Sequence, residues 1–348
     1  MGCFRVILAI AVMFDHMLTP SGERLNIIFG SLTAVRVFFI ISGFYMSLIY
    51  ITKYSNHKNG TNLFYSNRAL RLYPTYIAIL VLVTTLDGMV GRDNLFLNGN
   101  NWGFPEFLII LSNICILGLD ALVFAGSADH LVIGPAWSLG AEFIFYLMVP
   151  FIILNRPFVI GTLIVGSIIV RIYFDVSGYS NYNFFPSNLI FFLLGNMGYL
   201  VFSRIKNYEM SRYLGIGGVT FFIAYIVYKG VISNNFFLNF LDPGVHTMKG
   251  CLFYLTIALS IPFLFLVSKD SRIDRYVGNL SYSIYLLGGH VMYYSNILGR
   301  DYPYFKQNHL VVLIFTIVLA WCIYTIIERP VEAIRKRRIQ AGVAQVPH

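Results

Sequence analysis

Phe4–Pro20 reads FRVILAIAVMFDHMLTP, an apolar helix-forming run with Arg5 near its start and Asp15 and His16 side by side near its end. A run of this kind has the length of a membrane crossing, since about 20 apolar residues span about 30 Å of hydrocarbon. An ionised side chain at the centre of such a crossing costs about 3 kcal/mol or more, so charges kept there face a cavity or the interior of a helix bundle. Asp15 and His16 interrupt the end of the apolar region and no small-x-small cleavage site follows. The segment therefore reads as a retained first span rather than a cleaved leader.

The same texture recurs along the chain. Ten segments read as full spans: 4–20, 31–51, 74–90, 136–154, 157–173, 188–203, 213–231, 249–267, 279–297 and 309–328. The sequence is 57% hydrophobic and 12% charged, with a mean hydropathy of +0.69; an average soluble domain carries about 25% charged residues. An eleventh apolar piece, 105–124, is interrupted by Asn113, Gly118 and Asp120. Loop charge decides its treatment. If it does not cross, the inner loops hold sixteen Lys and Arg residues and the outer loops four, apart from span edges. That bias places both termini in the cytoplasm. The expected fold is all-α, a polytopic membrane protein of about ten transmembrane helices with one re-entrant or interfacial segment near 105–124. A single transmembrane domain over 1–332 and a basic cytoplasmic tail over 333–348 follow.

Several function classes fall away. The net charge of +9 belongs to inner loops, and no basic cluster combines with aromatics outside the apolar runs, so no nucleic-acid partner is expected. Cys3, Cys115, Cys251 and Cys322 lie in or beside apolar runs at no metal-ligand spacing and read as small hydrophobes. No metal site is expected.

Arg5 and His16 are eleven residues apart. At 100° per residue they share one helix face, separated by about 16 Å of rise. This alignment suggests one wet channel, with Arg5 near the cytoplasmic mouth and His16 deeper. Asp15 points about 100° away from His16; it is expected to pair with Arg36 or to cap a frayed helix end near Pro20. Glu142, in PAWSLGAEFIFYLMVP, sits about 9 Å below the outer face by helical rise, a depth matching that of His16. Arg68 and Arg71, in YSNRALRLYPTY, share a helix face just before a span and suit phosphate through bidentate hydrogen bonds. Each has a structural counterpart reading: a hydrogen-bonded histidine, an anchoring glutamate, an ordinary inner-face anchor. His290 reads as a satisfied bundle histidine.

In order along the chain, these pieces resemble the acyltransferase-3 family of integral-membrane O-acyltransferases. The motifs are Arg5 to His16, AVRVFFIISGFY (Ala34–Tyr45), NRALRLYP, WSLGAEFIFY (Trp137–Tyr146), FFLLGNMGY (Phe191–Tyr199), GNLSYSIYL (Gly278–Leu286) and IERP (Ile327–Pro330). The resemblance runs from about residue 4 to 337. The chain departs from it at Asn67, where the motif usually begins with a further arginine, at Gly288, where a histidine is frequent, and at Arg36, where an acid is common.

The resemblance implies transfer of an acyl group, most often acetyl, from cytoplasmic acyl-CoA to a hydroxyl of a sugar or envelope polysaccharide, free or lipid-linked. Acetyl-CoA would be a donor substrate and no permanently bound cofactor is implied. The implied setting is the bacterial inner membrane, with membrane lipid as surrounding partner. Arg5, Ser42, Arg68 and Arg71 would bind the donor. His16 would act as general base, with Glu142 or Asp15 orienting or charge-stabilising its imidazolium. Direct attack and an acyl-histidine intermediate both fit. The competing class is a transporter or flippase for a polar lipid-linked substrate, which would move its cargo without cleaving a thioester.

Overall fold

The computed structural model of the protein describes residues 1–16, 30–92, 94–96, 104–154, 157–178, 182–206, 213, 215–220, 248–301 and 308–343. Thirteen α-helices follow one another among them: α1 (Gly2–Asp15), α2 (Ser31–Lys53), α3 (Gly60–Val90), α4 (Phe104–Cys115), α5 (Leu119–Phe124), α6 (Trp137–Leu154), α7 (Pro157–Val176), α8 (Phe185–Ile205), α9 (Met248–Ser268), α10 (Arg272–Asn279), α11 (Ser281–Asp301), α12 (His309–Ile323) and α13 (Arg329–Val343). A π turn, Tyr324–Glu328, joins the last two. The stretch 215–220 is also helical. No strand occurs among the described residues.

Seven helices among the described residues are long and apolar enough to cross a membrane. The protein is an all-α polytopic membrane protein. Large apolar side chains are exposed along α7 (Ile169, Ile172, Val176) and α12 (Leu310, Ile314, Phe315), as suits helices solvated by lipid. Of the remaining expected spans, 4–20 forms the shorter α1, 279–297 lies in α11, and most of 213–231 falls outside the described residues.

The chain forms two compact units: Met1–Leu48 with Ile190–Ile317, and Ile49–Leu189 with Val318–His348. In the first, helix spacing is set by glycine. A Cβ on Gly43 would lie 2.0 Å from the Phe192 carbonyl oxygen, and one on Gly195 2.0 Å from that of Ile40. The α2 and α8 backbones therefore touch, the close approach that small residues permit in membranes. Beside this crossing, Asn196 Nδ2 donates to Ser47 Oγ at 2.8 Å, and Ser47 Oγ to the Gly43 carbonyl at 2.8 Å. Phe44 packs edge-on against Tyr45, Tyr199, Phe202 and Phe265 at centroid distances of 5.4–6.4 Å.

In the second unit α3 begins fourteen residues before the expected span start of 74 and runs through Pro74. The Arg68–Arg71 motif is thus part of the same 31-residue helix as the span. The interrupted piece resolves into α4 and α5, hinged at Ile116 with φ 65°, an unfavourable value for a β-branched residue. At about 1.5 Å rise per residue neither piece can cross. The opened backbone is satisfied from α3: Tyr73 donates to the Cys115 carbonyl, and Tyr76 Oη to that of Asn113 at 2.6 Å. Asn113 in turn accepts from Val132 N at 3.0 Å and donates to the His130 carbonyl at 3.1 Å.

The glycine contacts predict opposite outcomes for one substitution at two places. Gly195→Ala should destabilise the protein by about 1–3 kcal/mol through backbone overlap. Gly161→Ala on α7, where a Cβ meets nothing within 4 Å, should stay within about 0.5 kcal/mol of the parent. Thermal unfolding in detergent compares them, and equal melting temperatures would contradict the crossing.

Candidate active site

The first unit holds His16, Asp15, Arg5 and Ser42. Helix α1 ends at Asp15, earlier than the run to Pro20 suggests, and His16 is its cap residue (φ −89°, ψ −6°), donating its backbone N–H to the Met13 carbonyl at 3.3 Å. Met13, Phe14 and Asp15 are buried while His16 is exposed. The helix thus delivers an imidazole to accessible space from a packed stem. Residues 17–20 of the expected span lie outside the described residues.

Asp15 has a different role from either expectation. Its Oδ2 accepts the backbone N–H of Ser31 at 3.1 Å, the first residue of α2, so the acid caps the next helix. Arg36, buried on α2, donates to Tyr254 Oη at 3.2 Å and lies 5.6 Å from the Phe191 ring centroid and 5.9 Å from that of Tyr254. Two aromatic faces offset the burial of its charge. Ser42 is buried on the same helix. One turn on, the Tyr45 hydroxyl falls in the electrostatic field of Arg5, Asp274 and Arg275, so these groups share one end of the unit.

That end is fixed by Asp274, which composition alone did not single out. Its carboxylate accepts from Gly2 N at 2.7 Å and Cys3 N at 2.9 Å, and from the Met1 amino nitrogen at 2.9 Å. These are the orphan donors of a helix start, so α10 supplies the cap that α1 lacks in its own sequence. The backbones nearly touch there: a Cβ on Gly278 would lie 2.5 Å from Gly2 Cα. Further along, a Cβ on Gly288 would come within 2.7 Å of Met13 Cγ. The glycine at the family's frequent histidine position therefore makes room for the α1 stem. His290 is buried, its ring 6.4 Å from that of Tyr294, and His309 lies edge-on to Phe14 at 6.4 Å.

The second unit holds Glu142, Arg68 and Arg71. Gly140 lets the start of α6 settle on the hinge: a Cβ there would lie 3.0 Å from the Ile116 carbonyl and 3.1 Å from Asp120 N. Two residues on, half-buried Glu142 accepts from Tyr146 Oη at 2.5 Å. Arg68 is 5% exposed, with its guanidinium 5.7 Å from the Phe64 centroid. Asn67 is fully buried and donates to Tyr54 Oη at 3.1 Å, holding α3 to the segment after α2. Helix α13 returns along α3, and Arg338 donates to Ser66 Oγ at 3.0 Å. Among the described residues no group of three or more His, Cys, Asp and Glu side chains converges as a metal site.

Seven helices apolar and long enough to cross a membrane define the class as a polytopic helical membrane protein. Comparison with known proteins makes the class specific: the chain belongs to the acyltransferase-3 family, whose domain model, described as "Acyltransferase domain", matches residues 1–328. The matched residues end with the π turn, and α13 lies beyond them. An uncharacterised protein of Haemophilus influenzae is similar, 32% identical over 118 residues, which cover 34% of this chain and 47% of that protein. The match thus spans about half the length of that relative. No solved structure matches the chain.

Asp274 generates a pH prediction. Burial pushes its carboxyl up, but the Cys3 and Gly2 N–H groups and the Met1 amino group outweigh this and hold it at about 2. A free aspartate titrates near 3.9. The cap therefore contributes fully above about pH 4 and is lost as pH falls through 2. Asp274→Asn should melt below the parent at pH 5–7, with the gap closing towards pH 2. A gap that stays constant down to pH 2 would contradict the assignment.

Proposed function

We propose that this chain transfers an acyl group, most often acetyl, from acyl-CoA to a hydroxyl of a sugar or envelope polysaccharide, free or lipid-linked. The observation that carries the reading is His16: an exposed imidazole directly after the buried run Ala11–Asp15, in a chain whose family is acyltransferase-3. The carbonyls of the last turn of α1 favour a positive charge there, which suits a group that becomes imidazolium during the reaction. His16 takes the acceptor proton as the hydroxyl oxygen attacks the thioester carbonyl. The tetrahedral intermediate then collapses, the C–S bond breaks, and the departing thiolate takes the proton to leave as free CoA. Arg68 and Arg71 hold the phosphates of the donor, with Arg5 and Ser42 as further donor-binding groups. Glu142, held by Tyr146, is a further catalytic group in this reading. Asp15 acts through the α2 cap it makes, and so positions rather than reacts.

Charge supports the orientation: basic residues crowd the loops assigned to one side and the segment 329–338. On that basis both termini are cytoplasmic and 333–348 are a cytoplasmic tail; the family resemblance adds a bacterial inner membrane as the setting, with residues 1–332 as one membrane domain.

Purified protein given acetyl-CoA and a hydroxyl acceptor should release free thiol. His16→Ala should lower that rate at least about a hundredfold while CoA still binds, and Arg71→Ala should weaken CoA binding about tenfold. Substantial thiol release by His16→Ala, or transport of a lipid-linked sugar without thiol release by the parent, would overturn the reading.

A further inference from the structure

Helices α3 and α13 run antiparallel in the second unit. Ser66 meets Arg338 at 3.0 Å near the start of α3, and Glu332 lies in the field of Arg71 one to two turns further on. Between these points Arg335 falls in the field of both Arg68 and Arg71. Lys53, at the end of α2, lies in reach of Arg68 and Arg335. Two arginines spaced by three residues on one helix therefore stand opposite two spaced by three on the other.

Such an arrangement opposes itself. Like charges a few ångströms apart repel by about 1 kcal/mol even in water, and by several times more where water is thin. Glu332, an acid beside Arg71 and Arg335, is bound by Lys336 at 2.7 Å. Arg335 Nε is buried with no hydrogen-bond partner. A guanidinium nitrogen withdrawn from water and left unbonded, among further guanidinium groups, is a site awaiting acceptor oxygens.

We propose that α13 completes a phosphate-binding site, in which Arg335 and Arg338 join Arg68 and Arg71 around clustered phosphate groups. The inference rests on the donor-binding reading of Arg68 and Arg71 for its biological ligand, but the anion site stands on the charges themselves. Phosphate oxygens could come from the nucleotide end of the acyl donor or from an anionic phospholipid headgroup. The guanidinium fork serves both through paired N–H···O bonds. A ligand with several phosphate charges satisfies four cations better than a single headgroup, so the donor is the favoured source.

The test uses the full-length protein in neutral detergent, with titration calorimetry of CoA and of inorganic pyrophosphate. Lipid selection is read by native mass spectrometry from equimolar phosphatidylglycerol and phosphatidylcholine. Arg335→Gln should weaken CoA and pyrophosphate binding about tenfold or more, Arg335→Lys should recover part of it, and Arg337→Gln, an equal loss of charge on the same helix, should change little. Without ligand, Arg335→Gln should melt no lower than the parent, because repulsion is relieved. Loss confined to phosphatidylglycerol selection would assign the site to lipid. Equal weakening by Arg335→Gln and Arg337→Gln would reduce it to a diffuse field and overturn the proposal. If the parent binds CoA and Arg335→Gln leaves all three ligands unchanged, α13 is no part of the site while the donor reading survives. A parent that ignores CoA yet binds pyrophosphate through Arg335 would remove the donor reading and keep the anion site.

Discussion

Polar groups taken out of water into an apolar bundle must be bonded within the protein, because lipid offers them nothing. That requirement places helices α1, α2, α4 and α5. Asp274 takes up the N–H groups at the start of α1, and Asp15 at its end takes up one from the start of α2. The stem of His16 is thus fixed at both ends by carboxylates from outside its own first turn. The same rule disposes of Arg36, whose charge is met by the Tyr254 hydroxyl and two rings. At the hinge of α4 and α5, Tyr73 and Tyr76 supply the donors that a broken helix leaves wanting.

Against that background most of the family landmarks are packing devices. Gly43 of the second-span motif and Gly195 of FFLLGNMGY mark one backbone crossing, between α2 and α8. Gly278 in GNLSYSIYL marks another, where α1 meets the end of α10. Gly140 in WSLGAEFIFY lets α6 reach the hinge at Ile116. Outside that packing stand an exposed imidazole, a half-buried glutamate held by Tyr146, and cations gathered where α3 meets α13.

Apolar length made the spans legible, and the polar interruptions at Asn113, Gly118 and Asp120 correctly marked a piece too broken to cross. Helix ends were less legible. Hydropathy counts only apolar residues, so it started the third span at Pro74, although the helix runs on into water from Gly60 and carries Arg68 and Arg71 within it. The stop of α1 at Asp15 owes nothing to local composition, since the acid is recruited by an N–H sixteen residues later. Asp274 and Arg335 escaped notice for a related reason. Their roles arise from partners more than 260 positions away, and the part played by a basic tail is hidden until a helix facing it is known.

The central claim, that His16 is the reacting imidazole, is tested most directly by chemical modification. Diethyl pyrocarbonate acylates accessible neutral histidines, and peptide mass spectrometry reports each site separately. The account predicts that His16 is modified readily in the free protein and is protected by a non-hydrolysable acyl-CoA analogue, while exposed His130 reacts equally with and without the analogue. Modification of His16 that the analogue leaves unchanged, in protein shown to bind it, would contradict the account.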